Sequence, residues 1–278
     1  MKIQILGSGG GEGYPALFCN CIRCKAARKA GGKSIRTLSQ TIIDENFLID
    51  MPVDTPTHFR QSGLCFGNVE NVLITHVHAD HYCPQLFEIR GGDFAHDIKY
   101  EKLNVYGNAD VERFYNGFYN LFPICDNIRE NIVFHTINPY DKLKIGKYTV
   151  TVLKAMHAPE QVALNYIIDD GKSALLYLID TGYPTDETID FLRKYPRKFG
   201  AVIMDGTMGV SGYYVCHMNY AENIKLKNKL VEVGVVDENT RFTVAHITHN
   251  CAGLHKEIES FFEGSGILVA YDGMTLEI

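Results

Sequence analysis

The chain has 278 residues, 46% of them hydrophobic and 22% charged, which is typical of a globular protein with a core of useful size. Its formal net charge is −6, so long nucleic acid, whose binding needs many Lys and Arg contacts to phosphate, is not an expected partner. The opening apolar run is too short for a signal peptide, and no stretch approaches the ~18 apolar residues of a membrane span, so we expect a cytoplasmic protein.

Short apolar strands alternate with helical stretches along the whole chain. The predicted strands of the first half are Lys2–Leu6, Ser39–Asp44, Phe47–Asp50, Asn71–Thr75 and Ile132–Ile137. Those of the second half are Tyr148–Lys154, Leu164–Ile168, Ser173–Ile179, Ala201–Met204, Arg241–Ala245, Ile267–Ala270 and Met274–Glu277. The predicted helices are Ala109–Leu121, Thr185–Tyr195, Tyr220–Val233 and Leu254–Phe262. This order, without a linker, predicts a single α/β domain over residues 1–278 with two sheets packed face to face.

Three cysteines lie within six residues, in the run Cys19-Asn20-Cys21-Ile22-Arg23-Cys24. Because a cytoplasmic protein keeps its thiols reduced, this spacing indicates a zinc site whose fourth ligand comes from a distant part of the chain. Three buried cysteines, or a redox-active pair of Cys21 and Cys24, are the alternatives.

A dense histidine cluster, Thr75-His76-Val77-His78-Ala79-Asp80-His81, follows the apolar run Val72-Leu73-Ile74. Its position at a strand end places these side chains in a loop held by a rigid sheet. Alternation along the extended chain directs His76 and His78 to one side, whereas Asp80 and His81 follow the bend and can face a second ion. Neutral imidazole and carboxylate groups bind zinc, iron or manganese, so the cluster predicts a metal site rather than an exposed polar turn.

The pattern of this cluster resembles the signature of the metallo-β-lactamase superfamily. The resemblance implies a four-layer α/β/β/α sandwich and two divalent metals in the active site, whether zinc, manganese or iron. It also implies three further ligands that each follow a strand. The implied ligands of one metal are His76, His78 and His157, those of the other are Asp80, His81 and His246, and Asp180 bridges the two.

Within this superfamily, the cysteine run resembles that of the PhnP family, the phosphodiesterases of the carbon–phosphorus lyase pathway. The PqqB family has the same run. In the PhnP family, a histidine three residues after the last active-site histidine completes a structural zinc site. The resemblance therefore implies that His249 joins Cys19, Cys21 and Cys24 around one structural zinc.

The same family carries a catalytic histidine just before a late helix, and His217 matches it. Met218 and Tyr220 depart from the family in that segment, which implies a differently shaped pocket. The candidate catalytic residues are thus His217, as general acid, and Asp80.

The implied function is hydrolysis of a small phosphodiester, including cyclic nucleotides and cyclic ribose phosphates, by hydroxide formed on the metal pair. The alternatives are another hydrolase on the same scaffold, such as a thioesterase or a nuclease, and a PqqB-like binding protein without catalysis. Asp180 in place of a cysteine argues against a class B β-lactamase, and a tRNA nuclease would need a basic arm that the sequence lacks. The expected partner is the small phosphodiester substrate, and no contact with a membrane is expected. The sequence leaves open whether the protein forms a homodimer.

Three further features of the sequence give weaker indications. Gly7–Gly13 is glycine-rich, but Glu12 stands where a dinucleotide-binding motif needs glycine, so we predict a flexible loop lining the pocket. The stretch Phe114–Phe122 is predicted to be a helix packing face, with a lid over the substrate as the alternative. Asp50 either orients a ligand histidine or is an ordinary strand-end aspartate.

Overall fold

The computed structural model of the protein describes residues 1–92, 94–121 and 126–278. Its two sheets each contain seven strands within these residues. The first sheet consists, in spatial order, of Met274–Glu277 (β14), Lys2–Gly7 (β1), Gln40–Ile43 (β2), Phe47–Ile49 (β3), Asn71–Leu73 (β4), Leu103–Gly107 (β5) and Ile132–Thr136 (β6). The second consists of Ile267–Val269 (β13), Arg241–Ala245 (β12), Phe199–Asp205 (β11), Ala174–Leu178 (β10), Leu164–Asp169 (β9), Tyr148–Lys154 (β8) and Lys142–Ile145 (β7).

Seven α-helices are present in the described part of the chain. They are Ile22–Ala30 (α1), Thr55–Ser62 (α2), Ala109–Leu121 (α3), Asp126–Glu130 (α4), Asp186–Arg193 (α5), Tyr220–Glu232 (α6) and His255–Phe261 (α7). Short 3₁₀ helices cover Gly32–Ser34, Phe66–Asn68 and Pro84–Arg90. No helix among the described residues combines the length and apolar character needed to cross a membrane.

Three apolar cores confirm the predicted four-layer α/β/β/α arrangement. The central core joins residues of both sheets, such as Phe47 from β3 and Val152 from β8. A second core packs the outer face of the β10–β12 sheet against α5, α6 and α7, and includes Leu176 and Leu226. A third packs α2 and α3 on the outer face of the other sheet. The central strands of each sheet are therefore buried on both faces, which is why strands such as β3 and β10 are nearly continuous apolar runs in the sequence.

The parallel strands of both sheets end at the same edge of the sandwich. In the first sheet β3, β4, β5 and β6 run parallel, and in the second β10, β11, β12 and β13 do so. The register pairs Ile49 with Leu73 and Asp205 with Ala245. The residues that follow these strands therefore emerge side by side, where α/β folds place their functional groups.

Two strands, β5 and β7, and three helices, α1, α2 and α4, were not predicted from the sequence. β7 alternates Lys142 and Lys144 with apolar residues at the sheet edge, so its apolar signal is weak. α1 is rich in Lys and Arg and overlaps the cysteine run, α2 contains Pro56 in its first turn, and α4 has only five residues. Charge, proline and short length all mask the apolar periodicity on which helix prediction depends.

The predicted packing face on α3 is confirmed for the described residues. Tyr115 and Tyr119 are buried against the first sheet, whereas Phe114 is partly exposed. Phe122, the last residue of the predicted segment, lies outside the described residues, and the lid alternative stays a prediction.

Candidate metal centre

Five strand ends direct polar side chains into one cleft. Asp50 follows β3, the histidine cluster follows β4, Asp180 follows β10, Asp205 ends β11 and His246 follows β12. Apart from that of His78, which is partly exposed, the metal-ligating side chains among them are largely buried, although Asp is mostly exposed in proteins. A buried group of this kind is stable only when its members pair with one another or with a ligand.

The first group of ligand atoms gathers around His78. His76 Nε2 lies 2.8 Å and His157 Nε2 lies 3.2 Å from His78 Nδ1. Asp180 Oδ2 is 3.4 Å from His76 Nε2 and 3.6 Å from His157 Nε2. The outer nitrogen of His78, Nε2, lies 3.2 Å from Glu160 Oε1, an exposed carboxylate that the sequence did not indicate. Four donors at this mutual spacing can surround one cation.

The second group shares one oxygen with the first. Asp180 Oδ2 lies 2.9 Å from His81 Nε2. Asp80 Oδ2 lies 3.2 Å from His81 Nε2 and 3.4 Å from His246 Nε2, and the two imidazole nitrogens are 3.2 Å apart. Asp180 thus stands between both groups, in the position that the resemblance implies for a bridging ligand.

The second oxygen of Asp180 supports a cation at this place. Asp180 Oδ1 is fully buried and accepts no hydrogen bond from the described residues, although His246 Nδ1 is only 3.1 Å away. A buried carboxylate oxygen without a donor is rare in native proteins, and it often marks the place of a bound cation. Together with the imidazoles around it, the carboxylate has the donor chemistry that zinc, manganese and iron prefer.

The electrostatics of the cleft favour positive charge beside Asp180. Burial alone would raise the pKa of Asp180, but His246 and His81 outweigh it and hold this pKa well below its usual range. Burial lowers the pKa of His76 and of His157, so these imidazoles are neutral, as metal ligands must be.

Three residues of the cleft adopt left-handed backbone conformations that are uncommon for any residue except glycine. Their φ angles are 64° at Asp50, 51° at Asp180 and 58° at His246. Such conformations cost about 1–3 kcal/mol each and persist where the surrounding structure enforces them. Each turns the chain sharply after a strand, which directs the side chain into the cleft.

The glycine-rich segment Gly7–Gly13 lines the cleft, as predicted, but it is not the free loop that was expected, because Gly7 ends β1 and the backbone is hydrogen-bonded to the site. A Cβ at Gly10 would lie 2.5 Å from the His246 ring, so only glycine fits there. The Gly11 N–H donates to Asp80 Oδ2 at 2.8 Å, and the Ile247 N–H donates to the Ser8 carbonyl at 3.1 Å. The segment therefore holds two predicted ligands in place by close packing and hydrogen bonds.

Asp50 orients a predicted ligand, which was one of the two alternatives for it. Its Oδ2 lies 2.7 Å from His81 Nδ1, and its Oδ1 accepts the Thr75 N–H at 2.8 Å. Accepting from Nδ1–H leaves Nε2 of His81 free to bind a metal and fixes the orientation of the ring.

Replacing Asp50 with asparagine is therefore expected to weaken metal binding by about 10–100-fold, the usual effect of removing such a partner. Competition with a chromophoric chelator measures the affinity, and thermal unfolding shows whether the variant is folded. Wild-type affinity in a folded Asp50→Asn protein would contradict the orienting role.

Asp205 is a functional candidate that the sequence analysis missed. It is fully buried at the end of β11, and its Oδ2 lies 3.2 Å from His217 Nδ1. Burial alone would lower the pKa of His217, but Asp205, Asp180 and Asp80 outweigh it and raise this pKa to about 9. The available signal was an aspartate ending an apolar strand, the same signal that marked Asp180.

The three cysteines and His249 also come together, as the resemblance implies. His249 Nδ1 lies 3.7 Å from Cys19 Sγ and 3.6 Å from Cys21 Sγ. Zinc with Zn–S of about 2.3 Å and Zn–N of about 2.0 Å places sulfur and nitrogen ~3.5 Å apart in a tetrahedron. Cys24 Sγ completes the group, within which all ligand atoms lie within 4.8 Å of one another.

The surroundings of this cluster suit a thiolate site. A hydrogen bond from the Cys24 N–H and the contact with His249 lower the pKa of the Cys21 thiol to about 6. Burial raises the pKa of the Cys24 thiol to about 11, but a coordinating metal deprotonates a thiol outright. Glu12, which the sequence did not indicate, lies 2.9 Å from His249 Nε2 and fixes its ring.

Comparison with protein families matches residues 45–247 to the β-lactamase superfamily domain. That match covers most of the chain and includes every residue of the two histidine–aspartate groups. The chain belongs to the metallo-β-lactamase superfamily. The fold and the divalent metals that the superfamily implies agree with the cleft described above.

Three relatives within the metallo-β-lactamase superfamily illustrate its range. Ribonuclease Z of Borrelia garinii subsp. bavariensis is 22% identical, over 87% of this chain and 92% of its own length. A diphosphatase from the PhnP family matches with a TM-score of 0.72 and 20% identity, over 100% of this chain and 97% of that chain. Zinc-bound PqqB from Methylobacterium extorquens matches with a TM-score of 0.74 and 17% identity, over the full length of both chains. The chain accordingly has the metallo-β-lactamase fold, and the proteins similar to it include a PhnP-family diphosphatase and ribonuclease Z.

Proposed function

We propose that this chain is a dinuclear metal-dependent phosphodiesterase that hydrolyses small phosphodiesters, including cyclic ones. The observation that carries the proposal is the position of Asp180. Its Oδ2 lies close to the imidazoles of both histidine groups, and its Oδ1 lies 3.4 Å from His217 Nδ1. A phosphoryl group placed between two cations at Asp180 would lie next to a proton donor. That combination is what phosphodiester hydrolysis requires.

The two histidine–aspartate groups would each hold one divalent cation, with Asp180 as the shared ligand. Divalent cations held there would supply a more acidic water molecule and would offset negative charge on the phosphate. Residues around the two groups hold the ligand side chains in position. Asp50 and Thr207 contact the outer nitrogens of His81 and His246, at 2.7 and 2.8 Å, and the Gly11 N–H fixes Asp80.

His217 is the proposed general acid. Its ring lies beside His157 and Asp180 at the rim of the cleft, and Asp205 fixes Nδ1. With Nδ1 held by a carboxylate, Nε2–H is the free donor that can protonate the leaving oxygen. The carboxylate of Asp205 favours the protonated form of the ring and so raises its pKa, which makes a proton available when the P–O bond breaks.

A structural zinc at Cys19, Cys21, Cys24 and His249 is part of the same proposal. His249 lies three residues after His246, and Glu12 contacts His249 while its neighbour Gly11 contacts Asp80. A zinc ion bound to the cysteines would therefore anchor the backbone on both sides of the second metal group.

The similarity to PqqB favours one other function, a binding protein without catalysis. The alignment covers both chains completely, so the fold alone does not separate the two functions. The residues of the cleft distinguish the enzyme from the binding protein. A binding protein needs neither the second histidine–aspartate group nor a proton donor held by Asp205.

Metal analysis combined with a substrate screen tests the proposal. Protein purified and loaded with zinc or manganese is expected to hold about three ions per chain, two in the cleft and one at the cysteines. It should hydrolyse bis-nitrophenyl phosphate and cyclic phosphodiesters faster than phosphomonoesters or thioesters. One ion per chain and no esterase activity would favour the binding protein, and faster thioester cleavage would favour a thioesterase.

A further inference from the structure

The loop that carries His217 also presents exposed aromatic side chains at the mouth of the cleft. This loop spans residues 206–219 and joins β11 to α6. Tyr213 is 73% exposed and Tyr214 is 48% exposed. Exposed aromatic side chains at the mouth of a cleft are available to contact a ligand bound there.

The loop is held in place by its base and by the site itself. The Tyr220 N–H donates to the Gly209 carbonyl at 2.8 Å, and the Cys216 carbonyl lies 3.4 Å from Nδ1 of His157. A Cβ at Gly182 would lie 1.9 Å from the Val215 carbonyl oxygen, so the loop packs directly on the backbone that follows Asp180. The exposed tyrosines therefore have a defined position relative to the metal groups.

The ring of Tyr214 continues a series of nearly parallel rings that begins inside the cleft. His217 lies 13° from parallel to His246 at a centroid distance of 6.2 Å. Tyr214 lies 12° from parallel to His217 at 6.0 Å, and the two residues form an antiparallel backbone bridge. The series leads outward from the second metal group through the proposed general acid to the solvent-exposed tyrosine.

The position of His217 decides which part of a substrate would meet Tyr214. A general acid must contact the leaving oxygen, so the leaving group lies on the His217 side of the phosphorus. Tyr214 is the next ring on that side. Among the described residues, the ion-pair partners of Asp80, Asp180 and Asp205 are histidines rather than Lys or Arg.

We infer that Tyr214 is a specificity-determining residue that stacks on a flat aromatic ring, so that the substrate is a small phosphodiester whose leaving group carries such a ring, as a nucleoside does. The inference rests on the proposed function and names its substrate class. Tyrosine suits this task, because a nucleobase stacks on an aromatic face without needing a particular pattern of hydrogen bonds. Tyr213, exposed beside it, extends the same face.

The test compares two cyclic phosphodiesters that differ only in the base: adenosine 2′,3′-cyclic phosphate and methyl riboside 2′,3′-cyclic phosphate. In metal-loaded protein, Tyr214→Ala should raise KM for the adenosine compound by about 5–10-fold, the lower end of the effects of base stacking. The methyl riboside should change by less than about twofold, since it has no base to stack. Tyr214→Phe keeps the ring and should behave as wild type, and Tyr140→Ala, which removes an exposed tyrosine near α5, serves as control.

Two results would overturn the inference. An equal KM increase for both compounds would mean that Tyr214 only supports the loop, and an unchanged KM for both would mean that it contacts no base. A change in sedimentation of Tyr214→Ala relative to wild type would instead assign the face to a second copy of the chain.

Failure of the proposed function would be recognised separately. If wild-type protein hydrolyses neither compound, calorimetric binding of AMP and of ribose 5-phosphate still tests the aromatic face. Tighter binding of AMP that is lost in Tyr214→Ala would support stacking, and equal binding of both compounds would overturn it.

Discussion

Replacing Asp180 with asparagine is expected to remove both cleft metals and to lower kcat/KM by more than about 100-fold, beyond the usual 10–100-fold effect of an outer partner. Asparagine has nearly the same size, but its neutral amide cannot bridge two cations. The variant also leaves His76, His81 and His157 facing one another without the carboxylate that lies within 3.6 Å of each. Metal content per chain, measured by mass spectrometry, should fall to the ion at the cysteines.

Asp190→Asn is the matched control for this change. Asp190 lies exposed on α5 and pairs with Arg193 at 2.8 Å, so its replacement alters charge by the same amount at a site remote from the cleft. Its metal content and kcat/KM should equal those of wild type. If Asp180→Asn retained two cleft metals with normal activity, Asp180 would not be the shared ligand, and the dinuclear proposal would fail.

Replacing His217 with alanine is expected to slow hydrolysis of diesters with alkyl leaving groups by about 10²–10⁴-fold, the usual contribution of a general acid. An alkoxide is a poor leaving group and requires the proton, whereas a nitrophenolate leaves readily without one. The loss should therefore be much smaller with bis-nitrophenyl phosphate. Measured kcat values on both substrates, with the same metal-loaded protein, give the comparison.

The ratio of the two losses is the deciding quantity, because it is insensitive to partial misfolding. His96→Ala, at an exposed histidine outside the cleft, should affect neither substrate. Asp205→Asn should reproduce the leaving-group dependence of His217→Ala in weaker form, since Asp205 acts by holding the ring. Equal losses on both substrates would show that His217 shapes or binds the site rather than donating a proton.

The metal groups were predictable because their residues carry local signals. His76, His78, Asp80 and His81 lie within six positions, so any extended chain followed by a turn brings them together. His157, Asp180 and His246 each follow an apolar strand, and the resemblance to the superfamily supplied their order. The cysteine run was equally local, and the four-layer fold followed from the same motifs together with the order of the strands.

Contacts between distant parts of the chain were decided only by the tertiary structure. Asp205 meets His217 because the chain crosses from β11 over the 206–219 loop and returns, and Glu12 meets His249 across most of the length of the chain. Within that loop, a local turn aligns Tyr214 with His217, and no apolar periodicity in the sequence indicates this turn. The physical reason is the same in each case. A side chain's residue type and its neighbours in sequence determine which groups it can bind, but the order and register of the strands determine which of those groups come into contact.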